Sequence, residues 1–313
     1  MVMPKIPQTH STLIIITGPT AVGKTNIAIE VAKHFRTEII SADSRQFYKD
    51  LKIGTAVPTD EQLRTVKHHF IGHLNLDDRY NVSKFEKDTL ILLNELFVRN
   101  PVVILTGGSG LYIKAITDGI DELPDADPEI REKLNIIYQN EGLSAIRRML
   151  FNYDPEYAAR VDAANPVRIL RALEVYMQTG TAYSEHLNNP KSRRDFNIIK
   201  IALNLPRELL HQRINMRVDE MIEDGLIDEA RSFYHLKHLN ALNTVGYKEL
   251  FEHFEGHISL EDAIEKIKTN TRRYARRQIT WFNKDKEFQW MIPDSNTVIT
   301  WIKSQIDSDN PDF

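Results

Sequence analysis

The sequence predicts an α/β fold: a parallel sheet flanked by helices, interrupted by an all-helical insertion. Three observations predict it. The β-branched apolar run Leu13-Ile14-Ile15-Ile16-Thr17 passes through a glycine-containing turn straight into a helical pattern over 24–35. A second apolar run, Val102-Val103-Ile104-Leu105-Thr106, reads as a strand buried on both faces and also ends in a glycine-rich loop. Between residues 118 and 196 strand character disappears and only helical patterns remain; it returns at 196–203.

The turn after the first strand is Gly18-Pro19-Thr20-Ala21-Val22-Gly23-Lys24-Thr25. Gly-x-x-x-x-Gly-Lys-[Ser/Thr] between a strand and a helix is a P-loop, so the expected core is P-loop NTPase-like. The glycines permit a tight turn whose N–H groups point at an anion, and the helix that follows adds a partial positive charge. Lys24 brings a full charge to phosphate oxygens, and the Thr25 hydroxyl can hold Mg²⁺. These eight residues are the candidate diphosphate or nucleotide site. The loop specifies a polyphosphate and leaves open which one.

A second strand is expected at 38–41, ending at Ala42-Asp43-Ser44. Ligands sit at the carboxyl ends of strands in open α/β sheets, so Asp43 falls on the P-loop edge. Position alone leaves open a turn or helix-capping aspartate. Residues 45–80 are mixed, with loop at 52–56 and a short strand within 67–73. His68, His69 and His73 lie close together there. Neighbouring residues on a strand face opposite sides, so they read as packed or solvated histidines rather than a metal centre. Ser83 is expected to cap a helix over 84–99, ended by Pro101. The strand at 102–106 runs into Gly107-Gly108-Ser109-Gly110-Leu111-Tyr112. It lacks the terminal aspartate with which P-loop ATPases help to hold Mg²⁺.

The insertion is entered through Pro124, Asp125 and Pro128 and carries helical patterns at 129–140, 142–151, 155–162 and 166–179, closed by Gly180. A polar, basic linker at 188–195 leads to the strand at 196–203, which should rejoin the sheet. The expected domains are 1–117 with 197–313, and the helical domain 118–196. Pro206 opens a long helix with the apolar stripe Leu210, Ile214, Val218, Met221 and Ile222, and with Arg213 and Arg217 to one side. Another, over 260–282, carries Lys268, Arg272, Arg273, Arg276 and Arg277, interleaved with Tyr274 and Trp281. This stripe is either a solvated basic face or a track for a phosphate backbone with aromatics to stack on bases. A last strand is expected at 287–291, a closing helix at 296–306 and a disordered tail at 307–313.

Composition narrows the class. The chain has 313 residues, long enough for one large domain or two. No run approaches the roughly 18 apolar residues that span a bilayer, and the first twelve residues lack a signal peptide's apolar stretch. The absence of cysteine excludes disulfides, thiolate metal ligands and cysteine nucleophiles. A cytoplasmic enzyme without membrane association is expected, acting as a monomer. With a net charge of −4, a nucleic-acid partner would be held by local basic patches rather than by the overall field.

Taken together, several segments resemble the bacterial tRNA dimethylallyltransferases. The P-loop resembles that family's Gly-Pro-Thr-Ala-x-Gly-Lys-Thr, with Val22 where many members have Ser or Gly. Ser41-Ala42-Asp43-Ser44-Arg45-Gln46 with Ile53-Gly54-Thr55-Ala56, and the loop 107–112 with Ser109 in place of the usual Thr, resemble two further signatures. So do Asn165 to Glu174, Val245-Gly246-Tyr247-Lys248-Glu249 and Thr271 to Phe282. The resemblance spans about residues 12 to 292 and implies transfer of a dimethylallyl group from dimethylallyl diphosphate to N6 of the adenosine 3′ of the anticodon. The P-loop would then hold the donor's diphosphate, not ATP. It implies catalytic roles for Lys24, Thr25, Arg217 and Asp43, with Asp43 as general base and Mg²⁺ on Thr25. It also implies contacts to the tRNA anticodon stem-loop from Asp43, Ser44, Arg45, Gln46, Ser109, Arg131, Arg168, Arg171, Gly246, Tyr247, Lys248, Arg272, Arg276, Arg277, Gln278 and Trp281, with the helical domain gripping the stem-loop. A prenyltransferase acting on free adenine nucleotides, a P-loop kinase or NTPase, and an RNA-binding protein with an inactive P-loop are the competing readings.

Overall fold

The structure, a computed structural model, describes residues 11–121, 123–187 and 192–309. In chain order the first part runs β1 (Thr12–Thr17), α1 (Lys24–Phe35), β2 (Ile39–Ser41), α2 (Asp60–Thr65), β3 (His68–His69), α3 (Val82–Arg99), β4 (Val102–Thr106) and α4 (Gly110–Asp118). The insertion carries α5 (Pro128–Tyr153), α6 (Pro155–Arg160) and α7 (Pro166–Thr179). The chain then continues with β5 (Asn197–Leu203), α8 (Arg207–Glu223), α9 (Leu226–Ser232), α10 (Tyr247–Phe254), α11 (Leu260–Phe282), β6 (Gln289–Met291) and α12 (Ser295–Asp309).

The six strands form one sheet in the order β3-β2-β4-β1-β5-β6, all parallel. Ile14 lies opposite Ile104 on one side and Ile199 on the other. The continuous apolar character of β1 follows from two covered faces. Ile14 and Ile16 pack with residues of α1 and α12, whereas Leu13 and Ile15 pack with Phe85, Leu93 and Phe97 of α3. β1, β2 and β4 therefore deliver the P-loop, Asp43 and Gly107 to one edge. The Thr17 hydroxyl donates to the Gly107 carbonyl at 2.8 Å and joins two of those strand ends. A third core, built on Leu51, Leu226, Tyr247, Leu250 and Ile267, ties α9, α10 and α11 to the loop after β2.

The chain divides into two compact units, Met1–Thr117 with Arg194–Phe313, and Asp118–Arg193. The boundary falls before Arg194, not after residue 196, because its guanidinium donates to Ile116 O (2.8 Å), Ala115 O (2.6 Å) and Glu86 (2.6 Å) of the α/β unit. In the helical unit, α5 and α7 enclose Leu134, Ile146, Leu150, Ile169 and Leu173. Gly142, at φ 76° and ψ −175°, interrupts α5 and separates the two helical patterns read from the sequence. Asp154 is buried, caps α6 through Tyr157 N (2.8 Å) and accepts from Ser184 N and Oγ (2.7 and 2.8 Å).

Other expectations are corrected. Asn81, not Ser83, caps α3. Its backbone is extended and its side chain accepts from Lys84 N at 2.9 Å, which places Ser83 inside the first turn. Residues 307–309 belong to α12 rather than to a disordered tail; the rest of that tail, and 188–191 of the linker, lie outside the described residues.

Candidate active site

The P-loop backbone follows from its small residues. Gly18 (φ 140°), Ala21 (φ 63°) and Gly23 (φ 105°) all take positive φ. A side chain at Gly18 would run into the Leu203 carbonyl of β5. Gly23 starts α1 without a side-chain cap, which leaves the helix's first N–H groups to an anion. The loop opens on a cleft of about 560 Å³ whose wall includes Thr20, Lys24, Thr25, Asp43, Arg217 and Gln278.

Lys24 Nζ donates to Gly18 O (3.1 Å) and Pro19 O (2.9 Å). Its removal from water pushes its pKa down to about 8; Asp43 opposes the shift and Arg217 adds to it. Arg217 Nη1 donates to Thr20 Oγ1 at 3.3 Å, and burial lowers its pKa as well, again opposed by Asp43. Asp43 thus faces two cations across one cleft. Its Oδ1 accepts from Arg45 N at 3.0 Å, a local turn that fixes the carboxylate. Among the described residues no group of three His, Asp or Glu side chains could hold a metal ion. A magnesium ion held mostly by substrate phosphates and water fits this set, since it needs few protein ligands. Thr25, the P-loop hydroxyl on the cleft wall, would hold it. Two of the three histidines are engaged elsewhere: His69 Nε2 lies 2.6 Å from Glu38 and His73 packs edge-on against Phe47. His68 lines the cleft, with its Nδ1 2.8 Å from Val66 O.

Several residues expected at a nucleic acid also bond within the protein. Gln278, 5% exposed, accepts from Thr20 N (2.8 Å) and donates to Gly108 O (3.0 Å), so one side chain locks the two glycine loops together. Ser109 Oγ accepts from Ser44 N at 3.0 Å and supports the turn that carries Asp43. The Trp281 ring covers Gly110 so closely that a Cβ there would overlap it. The Arg45 guanidinium donates to Asn240 O (2.7 Å), Ala241 O (3.3 Å) and Asn243 O (3.4 Å). Gln46 Nε2 donates to Thr55 O (3.3 Å) and Ala56 O (2.9 Å). Tyr247 is fully buried and donates to Glu229 Oε1 at 2.6 Å; Gly246 N donates to Glu249 at 2.8 Å, while Lys248 is exposed.

The basic stripe of α11 divides in two. Arg272 is spent on Asn215 (2.6 Å) and Thr269 (2.8 Å), and Lys268 pairs with Asp219 (2.7 Å). Arg273, Arg276 and Arg277 are exposed, the last lying 5.6 Å from the centre of the Tyr274 ring. In the helical unit, Arg131 and Arg171 (2.9 Å) both bind the fully buried Glu174 carboxylate, and Arg171 also donates to Pro124 O at 2.6 Å. Arg168 is exposed. The cleft wall also holds residues not singled out as site residues: Tyr274, Arg213 and the segment 55–59. Two of them were detectable by helical spacing, since Tyr274 stands four residues before Gln278 and Arg213 four before Arg217.

The IPP transferase family profile matches residues 46–285. Among curated relatives, the tRNA dimethylallyltransferase of Christiangramia forsetii is 52% identical over 298 residues, covering 95% of this chain and 99% of its own. The tRNA dimethylallyltransferase 1 of Phocaeicola vulgatus is 50% identical over 288 residues, covering 92% and 96%. The crystal structure of the full-length tRNA isopentenylpyrophosphate transferase of Bacillus halodurans superposes with a TM-score of 0.69 at 34% identity, covering 96% of both chains. A eukaryotic dimethylallyltransferase captured acting on tRNA superposes with a TM-score of 0.76 at 26% identity, covering 96% of this chain and 77% of that one. A profile match over most of the chain, relatives alike along nearly their whole length and solved structures of the same fold agree: this chain belongs to the IPP transferase family.

Proposed function

We propose that this protein transfers a dimethylallyl group from dimethylallyl diphosphate to N6 of the adenosine at position 37, 3′ of the anticodon, in tRNAs reading codons that begin with U. The observation that carries this reading is a single cleft holding both an anion cradle and a carboxylate, with Lys24, Thr25 and Arg217 facing Asp43. The missing aspartate at the end of β4 supports a diphosphate leaving group over nucleotide hydrolysis.

The donor's diphosphate lies on the N–H groups of 20–25. Lys24 turns from its two P-loop carbonyls toward the phosphate oxygens, and Arg217 approaches from α8. As the C1–O bond breaks, these groups neutralise the charge growing on the diphosphate, which leaves with the electron pair. The N6 lone pair forms the new bond to C1, and Asp43 accepts the N6 proton, a contribution of about 10²–10⁴-fold. Thr25 would hold Mg²⁺, which would supply further charge neutralisation when bound. The adenine leaves the anticodon stack to reach the cleft, where Tyr274 offers a stacking face. Exposed Arg273, Arg276, Arg277 and Lys248 hold tRNA phosphates, and Arg168 adds a contact from the helical unit, which grips the stem-loop. Arg45, Gln46, Tyr247, Arg131 and Arg171 contribute through the protein's own packing.

The test is single-turnover transfer by Asp43→Asn. The rate should fall about 10²–10⁴-fold, while diphosphate binding is kept or tightened, because a negative charge beside Lys24 and Arg217 is gone. Transfer at the parent rate would remove Asp43 as the base.

A further inference from the structure

The loop after β2 forms one wall of the cleft through Thr55, Ala56, Val57, Pro58 and Thr59. This wall includes Ala56, Val57 and Pro58, an apolar surface suited to a five-carbon chain. Its backbone is not relaxed. Ala56 sits at φ 49°, a left-handed conformation that a residue with a Cβ seldom adopts without external restraint.

The turn at Ala56 is closed within the loop, by Ala56 N to Ile53 O (2.9 Å) and Val57 N to Lys52 O (3.2 Å), and α9 anchors the residues that open it. The Glu229 carboxylate accepts from three consecutive backbone N–H groups: Lys52 and Ile53 on Oε2 (3.0 and 2.9 Å) and Gly54 on Oε1 (2.9 Å). The buried Tyr247 hydroxyl donates to the same Oε1 at 2.6 Å, and its ring lies where a Cβ on residue 54 would fall, at 2.6 Å. From the other side, Gln46 holds the Thr55 and Ala56 carbonyls, so the segment that carries Asp43 and the wall facing it are joined. Charge-assisted bonds to backbone N–H groups are the stronger class, and here one carboxylate collects three of them on a single loop. This accounts for two motifs that phosphate chemistry does not use, Ile53-Gly54-Thr55-Ala56 and Val245-Gly246-Tyr247-Lys248-Glu249.

We propose that Glu229, supported by Tyr247, is a positioning residue for the prenyl end of the cleft: it holds the 52–57 loop in the strained shape that forms the wall against the donor's hydrocarbon chain. The proposal rests on the reading that the cleft takes a prenyl diphosphate. It predicts a selective defect. In Glu229→Gln the carboxamide keeps the size, but its NH₂ group faces backbone donors, so the loop is released on one side.

The experiment compares dimethylallyl diphosphate with inorganic diphosphate. For Glu229→Gln, the KM of dimethylallyl diphosphate should rise about tenfold, with the tRNA KM within about twofold. By calorimetry, inorganic diphosphate should bind as it does to the parent enzyme, because it meets only the P-loop end. Tyr247→Phe keeps the ring and loses one of the four hydrogen bonds, so it should move the same KM in the same direction by less; it also serves if Glu229→Gln fails to fold. Equal weakening of both ligands, a lower kcat with both KM values unchanged, or an unchanged donor KM would each overturn the proposal. A parent enzyme that binds both ligands yet modifies no tRNA would overturn the functional reading instead, and the calorimetric comparison would still decide the role of Glu229.

Discussion

Raising the pH from 7 to 9 should weaken the binding of dimethylallyl diphosphate about tenfold. Lys24 is positively charged below its pKa, and desolvation in the cleft has brought that value from 10.5 to about 8. About ten in eleven molecules then carry the charge at pH 7 and about one in eleven at pH 9. A diphosphate seated against Nζ favours the charged form and raises the pKa again, so binding takes up about half a proton at pH 8. Titration calorimetry in two buffers of different ionisation enthalpy counts that proton directly. The same titrations with Lys24→Met remove the contribution of Lys24 and leave those of the ligand and all other groups; the variant should bind weakly and take up about half a proton less than the parent at pH 8. Stability moves the other way. The folded pKa lies below the unfolded one, so the unfolded chain holds more protons between pH 8 and 10.5, and through Lys24 the ligand-free fold gains stability as pH rises across that window. An affinity that stays flat from pH 7 to 9, or one that falls equally in Lys24→Met, would refute the assignment of this charge to the diphosphate.

Gln278→Leu should destabilise the α/β unit by about 2 kcal/mol, read from denaturant midpoints, because it strands Thr20 N and Gly108 O; the diphosphate Kd should rise with it. Glu174→Ala removes the partner of two guanidiniums from the core of the helical unit, at a cost of about 3–5 kcal/mol. Hydrogen exchange should speed up across α5 and α7 and stay unchanged in β1 and β4. Arg276→Ala and Arg277→Ala should each lower tRNA affinity and reduce the slope of log K against log salt by about 0.7–0.9, the mark of one lost phosphate contact.

The elements that build the sheet edge were legible because their signals are local. The run 13–17 and the run 102–106 are apolar at every position before a terminal threonine, as a strand covered on both faces requires, and the P-loop follows its strand without a gap. The return of β5 to the sheet was legible from its apolar, β-branched character; its place beside β1 was not. What sequence could not show was where polar side chains spend their hydrogen bonds. Arg45 looks free beside Asp43, yet its partners are carbonyls near residue 240. Arg131 and Arg171 read as tRNA contacts, and no local signal shows that the fold also brings them to Glu174. Gln278 joins residues 20 and 108, a link that no helical periodicity encodes. Short helices were lost as well. α2 has six residues and α9 seven, too few for an amphipathic repeat, and the stability of such helices comes from packing rather than from propensity.

The most direct test of the central claim is nucleoside analysis of tRNA after incubation with the protein, labelled dimethylallyl diphosphate and Mg²⁺. The account predicts label on N6 of the adenosine at position 37 of unmodified tRNAs that read codons beginning with U, and none when that adenosine is replaced by guanosine. Label on free AMP with none on tRNA, or ATP hydrolysis with no prenyl transfer at all, would contradict it.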